Sequence, residues 1–94
     1  MYASSRKYEI TGSEADLIQR AEQGFLPVIK QVSGFVDYYI FSAGNNVVNT
    51  ASIFESAAQM QESDELAAKW VSENMASFVV GTPEITQGEI RLKG

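Results

Sequence analysis

The stretch that decides the fold runs Ser33-Gly34-Phe35-Val36-Asp37-Tyr38-Tyr39-Ile40-Phe41, then Gly44-Asn45-Asn46, then Val47 to Phe54. Its first half is almost wholly aromatic and β-branched, the composition of a pleated strand with both faces occupied. Gly and Asn tolerate positive φ, so Gly44-Asn45-Asn46 predicts a tight turn and Val47–Phe54 a hairpin partner. Gly34 fits the left-handed residue that closes a helix, which places a helix immediately upstream.

That helix begins at Ser13, a good N-cap, with Glu14 and Asp16 where carboxylates suit the positive end of the helix dipole. Leu17, Ala21, Phe25, Val28 or Ile29, and Val32 recur every three or four residues and form one apolar stripe. Pro27 interrupts it and predicts a kink near Gly24 to Pro27, because the ring removes a donor and crowds the carbonyl of Gln23. Upstream, residues 2–10 read as a first strand stopped by Thr11-Gly12-Ser13. Downstream, Ser56 and Gln59 form a capping box. Ser63-Asp64-Glu65 offers a second start, so the expectation is a short turn and then a main helix from about Asp64 to Val79. Its buried side would be Leu66, Ala67, Trp70, Val71, Met75, Phe78 and Val79. Gly81-Thr82-Pro83 ends it, and residues 84–92 form the last strand. The order is βαββαβ: an α+β, ferredoxin-like single domain over residues 1–94, with a four-stranded antiparallel sheet and two helices on one face.

Composition bounds the chemistry. The 94 residues contain neither Cys nor His. Disulfides, thiol nucleophiles and thiolate zinc sites are excluded, as are Ser–His–Asp triads and His-ligated haem within one chain. A net charge of −5 with scattered Lys and Arg argues against nucleic acid, which demands a clustered basic face. No run reaches membrane-spanning length and the N-terminus lacks a signal-peptide core, so the expected location is cytoplasmic, away from any membrane.

Two helices cover one face of such a sheet. Strict alternation puts Phe35, Tyr39 and Phe41 on one side of the second strand and Val36, Tyr38 and Ile40 on the other, with Tyr8 and Ile10 together on the first. Both faces of the sheet are then apolar, and an uncovered one is best buried against a second copy of the chain. The expected partner is therefore self, as a homodimer.

The strand–helix order, Ser33-Gly34-Phe35 opening a Tyr-rich strand, Ile53-Phe54-Glu55-Ser56 closing the next, and a second helix carrying Trp70 resemble the dimeric α+β barrel superfamily. Within it the chain looks like the antibiotic biosynthesis monooxygenase (ABM)-like family. The resemblance spans nearly the whole chain. It implies a cavity between each sheet and its helices, and either a cofactor-independent monooxygenase acting on a small aromatic molecule or a non-catalytic small-molecule-binding, structural or regulatory homodimer. Haem-degrading members use an Asn on the first strand and a Trp and a His on the second helix. Here Arg6 or a neighbour holds the first position, no His exists, and Trp70 falls near the expected His. The pattern that survives needs neither cofactor nor metal.

Candidate catalytic residues are Arg6, Trp70 and Asn74. Trp70 would stack on a planar ligand, Asn74 one turn on would offer an amide, and Arg6 would hold a developing negative charge. Candidate ligand-binding residues are Tyr8, Asp37, Tyr39 and Trp70, and Tyr38 offers a further hydroxyl. Each has a plainer use as core or surface. Arg6 and Asp37 both interrupt apolar strands, so a structural pair between them is the simpler expectation. Glu62, Asp64 and Glu65 suit a helix start better than a metal.

Overall fold

The structure is a computed structural model that describes residues 1–94. Its elements are β1 (Tyr2–Ile10), α1 (Glu14–Arg20), a π-helical turn (Ala21–Phe25), α2 (Leu26–Ile29), β2 (Phe35–Gly44), β3 (Val47–Phe54), α3 (Ala57–Asn74) and β4 (Val79–Glu89). The sheet order is β2-β3-β1-β4, every pair antiparallel. This is the ferredoxin-like arrangement expected from the βαββαβ order, with the helices packed on one face.

Ser13 caps α1, its Oγ accepting from the Asp16 N–H at 3.2 Å. Pro27 acts as its chemistry requires: with no N–H to return to Gln23, the ladder slips, and the Leu26 N–H reaches back five residues to the Ala21 carbonyl. The kink expected at Gly24 to Pro27 is this π turn. Gly24 also lets the second helix approach, since a Cβ there would lie 3.0 Å from Trp70 Cζ2. The hairpin turn forms where expected, with Asn45 and Asn46 at positive φ of 53° and 61°.

Three boundaries differ from expectation. The capping box at Ser56 starts α3 outright, its Oγ accepting from the Gln59 N–H at 3.3 Å, and no second start occurs at Ser63. Ser63 is instead buried within the helix, its hydroxyl donating to the Met60 carbonyl at 2.6 Å. The helix also ends at Asn74 rather than Val79. Val79 and Val80 pair with Ile10 and Glu9 in the sheet, where β-branched side chains lose less freedom, so β4 begins there and not at residue 84.

The inner face of β1 carries Ser4, Arg6, Tyr8 and Ile10, all buried. Two apolar clusters fill the space beneath the helices. One joins Phe25, Ile29, Val32 and Phe54 to Met60 and Ala67 of α3. The other joins Tyr8, Ile10, Leu17 and Val48 to Met75.

The outer face is less aromatic than simple alternation implies. A bulge between Phe35 and Asp37 turns Phe35 inward, where it meets Phe54 edge-on with ring centroids 5.8 Å apart. Tyr8 and Ile10 are likewise inside. The outward rows are Tyr39–Ala51–Ser5–Thr86, Asp37–Ile53–Ala3–Gly88 and Phe41–Asn49–Lys7–Glu84. The exposed aromatics of the outer face are therefore on β2, Tyr39 at 51% and Phe41 at 54%, while over β1 and β4 the face is mostly polar apart from the exposed Val80.

Candidate functional site

Between the sheet and the helices lies a cleft lined mostly by hydrophobic side chains. Counted with the open space at its mouth it spans about 630 Å³, of which about 50 Å³ is free interior. The interior has room for a little water or one polar group, well short of the ~300 Å³ at the lower end of ligand pockets.

One wall is aromatic. Phe25, at the end of the π turn, sits between Trp70 of α3 (5.5 Å between centroids, planes at 46°) and Tyr38 of β2 (5.5 Å, 63°). Such offset and edge-on contacts suit ring quadrupoles and fix the orientation of the indole. Alternation along β1 brings Arg6 and Tyr8 to the same lining.

The polar end is built around Asp64. Its side chain is 13% exposed and that of Arg6 is 7% exposed. Arg6 Nη2 donates to the Asp64 backbone carbonyl at 2.9 Å and lies 3.5 Å from the carboxylate Oδ1. Ser4 Oγ donates to Oδ1 at 2.8 Å, and Gln87 Nε2 of β4 donates to Oδ2. Nη2 is the one guanidinium nitrogen that meets a protein acceptor, so Nε and Nη1 remain free on a residue only 6% exposed.

Tyr39 is the only tyrosine whose hydroxyl donates to the protein, which leaves those of Tyr8 and Tyr38 unpartnered in the cleft lining. Burial, reinforced by the neighbouring Tyr8, pushes the Tyr38 phenol well above the ordinary tyrosine value, while Arg6 works weakly the other way. Tyr38 therefore stays protonated and able to donate. Arg6, Tyr8 and Tyr38 thus add hydrogen-bond donors to a lining that is otherwise mostly apolar.

The structure unites Arg6, Tyr8 and Trp70 of the sequence candidates and separates the rest. Asp37 and Tyr39 lie on the opposite, outer face, where the Tyr39 hydroxyl donates to Asp37 Oδ2 at 2.5 Å. That hydrogen bond, with the Tyr38 backbone N–H at 2.9 Å, holds the Asp37 carboxyl below the usual carboxylate value and raises the Tyr39 phenol. The Arg6–Asp37 pair does not form, because the two residues point to opposite faces of the sheet; the partner of Arg6 is Asp64. Asn74 is exposed and donates to the Trp70 carbonyl at 3.0 Å, closing the last turn of its own helix. Glu62, Asp64 and Glu65 do not converge, since Asp64 turns inward and the others face solvent.

Ser4 and Gln87 escaped the sequence reading, in which Asp64 figured only as part of an acidic helix start. A signal for Asp64 was present: it falls on the stripe Met60–Asp64–Ala67–Val71, where an inward carboxylate demands a buried cation, and Arg6 sits at an inward position of β1.

No protein-family model and no curated protein matches the chain. Solved structures do. A monooxygenase from Streptomyces coelicolor in complex with nanaomycin D has a TM-score of 0.79 at 16% identity, over 98% of this chain and 88% of that one. SnoaB, a cofactor-independent oxygenase from Streptomyces nogalater, gives 0.75 at 12%, over 98% and 94%. A dimeric ferredoxin-like protein from an uncultured marine organism gives 0.76 at 10%, over 99% and 96%. The fold is that of the ABM-like proteins, as the resemblance in sequence implied. Identities this low establish fold and leave the reaction to the site.

Proposed function

We propose that the chain is a homodimeric, cofactor-independent monooxygenase of a small aromatic molecule, acting in the cleft between sheet and helices. The observation that carries this reading is the buried Arg6 in a mostly apolar cleft whose lining also includes Tyr8 and Tyr38, neither with a hydrogen-bond partner for its hydroxyl. An oxygen-bearing aromatic that gives up a proton to water at the mouth of the cleft becomes an electron-rich anion able to reduce O₂ directly, and the proton is recovered in the water that the reaction forms. That anion forms only after a neutral molecule has bound, so hydrogen-bond donors of the lining stabilise the charge as it develops, without the hydration loss of a ligand already charged in solution. For an anthrone-type substrate the ring CH₂ becomes a carbonyl. One atom of O₂ enters the product, the other leaves as water with the two hydrogens, and the substrate supplies all four electrons. The polar end fills the free interior and the ring occupies the mouth against Trp70. The apolar rows over β2 and β3 form the contact between the two copies.

Oxygen uptake with an anthrone substrate tests the reaction. Tyr38→Phe removes one donor and should slow turnover by up to about 10²-fold, and Trp70→Phe should raise KM. Rates equal to background oxidation in wild type and both variants would refute it. A second reading, a homodimer that binds a small molecule without turning it over, is favoured by the small free interior and predicts binding with no oxygen uptake.

A further inference from the structure

We propose that Asp64 sets the charge class of the ligand: by neutralising Arg6 it makes the cleft a site for an uncharged hydroxy- or keto-aromatic and turns away aromatic carboxylates. This rests on the reading of the cleft as the ligand site, whether or not turnover follows.

A lone buried guanidinium facing an apolar slot would be a carboxylate receptor, because its fork matches a carboxylate with two parallel hydrogen bonds. Here the charge is already answered. The Asp64 carboxylate stands 3.5 Å from Nη2, with both side chains largely withdrawn from water. Asp64 is itself held on both oxygens, by Ser4 and by Gln87, so it does not swing away when a ligand arrives. A carboxylate entering the cleft would bring a second anion to one cation and would shed its hydration with no net charge to compensate. A neutral oxygen has no such cost and still receives the donors that Asp64 leaves free, namely Arg6 Nε and Nη1 and the hydroxyls of Tyr8 and Tyr38. No other ionisable side chain lines the cleft.

The geometry makes the test clean. Arg6 Nη2 also donates to the backbone carbonyl of Asp64 at 2.9 Å, a contact that any side chain at position 64 retains. Asp64→Asn therefore removes the charge while the guanidinium stays anchored. Ser4→Ala removes the 2.8 Å hydrogen bond and keeps both charges. Asp64 is thus a positioning residue with a charge effect that a merely structural role would not produce.

Affinities of 2-naphthol and 2-naphthoate would be measured by calorimetry at pH 7 for wild type, Asp64→Asn and Ser4→Ala, with circular dichroism to verify folding. Wild type and Ser4→Ala should bind the naphthol and discriminate against the naphthoate. Asp64→Asn should shift the affinity ratio toward the naphthoate by about tenfold or more, as expected when a cation loses its buried counter-charge. Binding of both ligands with a ratio unmoved by Asp64→Asn would overturn this inference and leave the cleft as the ligand site. A ratio moved equally by Ser4→Ala would also overturn it, because the effect would then be structural. Failure of wild type to bind either ligand would overturn it together with the proposed function.

Discussion

Replacing Arg6 with Met strips the cation from Asp64 and leaves a carboxylate whose side chain is 13% exposed. Breaking one member of a buried pair costs about 3–5 kcal/mol because the other is left uncompensated. Ser4 and Gln87 still donate to Asp64, so the low end applies, about 3 kcal/mol. For a domain of this size that corresponds to a fall in Tm of about 12–24 °C. Asp64→Leu strands Arg6 in the same way and should cost a similar amount. The double variant Arg6→Met/Asp64→Leu removes both charges and fills the space with apolar atoms, so it should lie within about 1 kcal/mol of wild type. The cycle then gives a coupling near 5 kcal/mol, against the additive sum of about 6 kcal/mol expected for independent sites. Urea denaturation of the four proteins at one fixed concentration measures it, since the apparent stability of a homodimer, the state proposed for this chain, depends on concentration. A double variant as unstable as the summed singles would refute the claim that the two residues form one neutralised unit.

Three further outcomes follow from the packing. Gly24→Ala would ordinarily gain about 0.5–1 kcal/mol in a helix, but its Cβ lands 3.0 Å from Trp70 Cζ2 and 3.3 Å from Nε1. A net loss of about 1 kcal/mol is expected, with a changed emission spectrum from the single tryptophan; added stability with unchanged emission would contradict it. The Tyr38 phenol is raised above its unfolded value of 10.0, so its contribution is fully present below that pH and is lost as pH rises through the folded value. Tyr38→Phe should flatten that alkaline loss, and spectrophotometric titration should show the last phenol to ionise disappear. Phe41→Glu puts a charge in place of the most exposed aromatic side chain of the outer face and should yield monomers in sedimentation at concentrations where wild type is dimeric. A wild type that sediments as a monomer would overturn the homodimer outright.

Strand and helix order was legible because it depends on local pattern. Ser13 and Ser56 cap helices wherever the chain goes, Gly44-Asn45-Asn46 turns for backbone reasons alone, and Pro27 disrupts a ladder whatever packs against it. The boundaries of α3 were less legible. Ser63-Asp64-Glu65 reads locally as a helix start, yet the helix runs through it because the Ser63 hydroxyl is satisfied by the Met60 carbonyl of its own helix and Asp64 finds Arg6 and Ser4 inward. Val79 and Val80 continue the apolar pattern of the helix, yet they join the sheet because β1 has an edge to offer them.

The residues of the cleft divide in the same way. Sequence by itself fixed the absence of imidazole and thiol chemistry, the βαββαβ order, and the presence of Arg6, Tyr8 and Trp70 at positions able to face a common interior. Which carboxylate would answer Arg6 was decided by tertiary structure, since Asp37 on a strand and Asp64 on an inward helix stripe were both candidates in the sequence. The parity of two strands and the rotation of one helix send Asp37 outward to Tyr39 and Asp64 inward to Arg6. A buried charge selects its partner by distance in space, and that distance exists only once sheet and helix have packed.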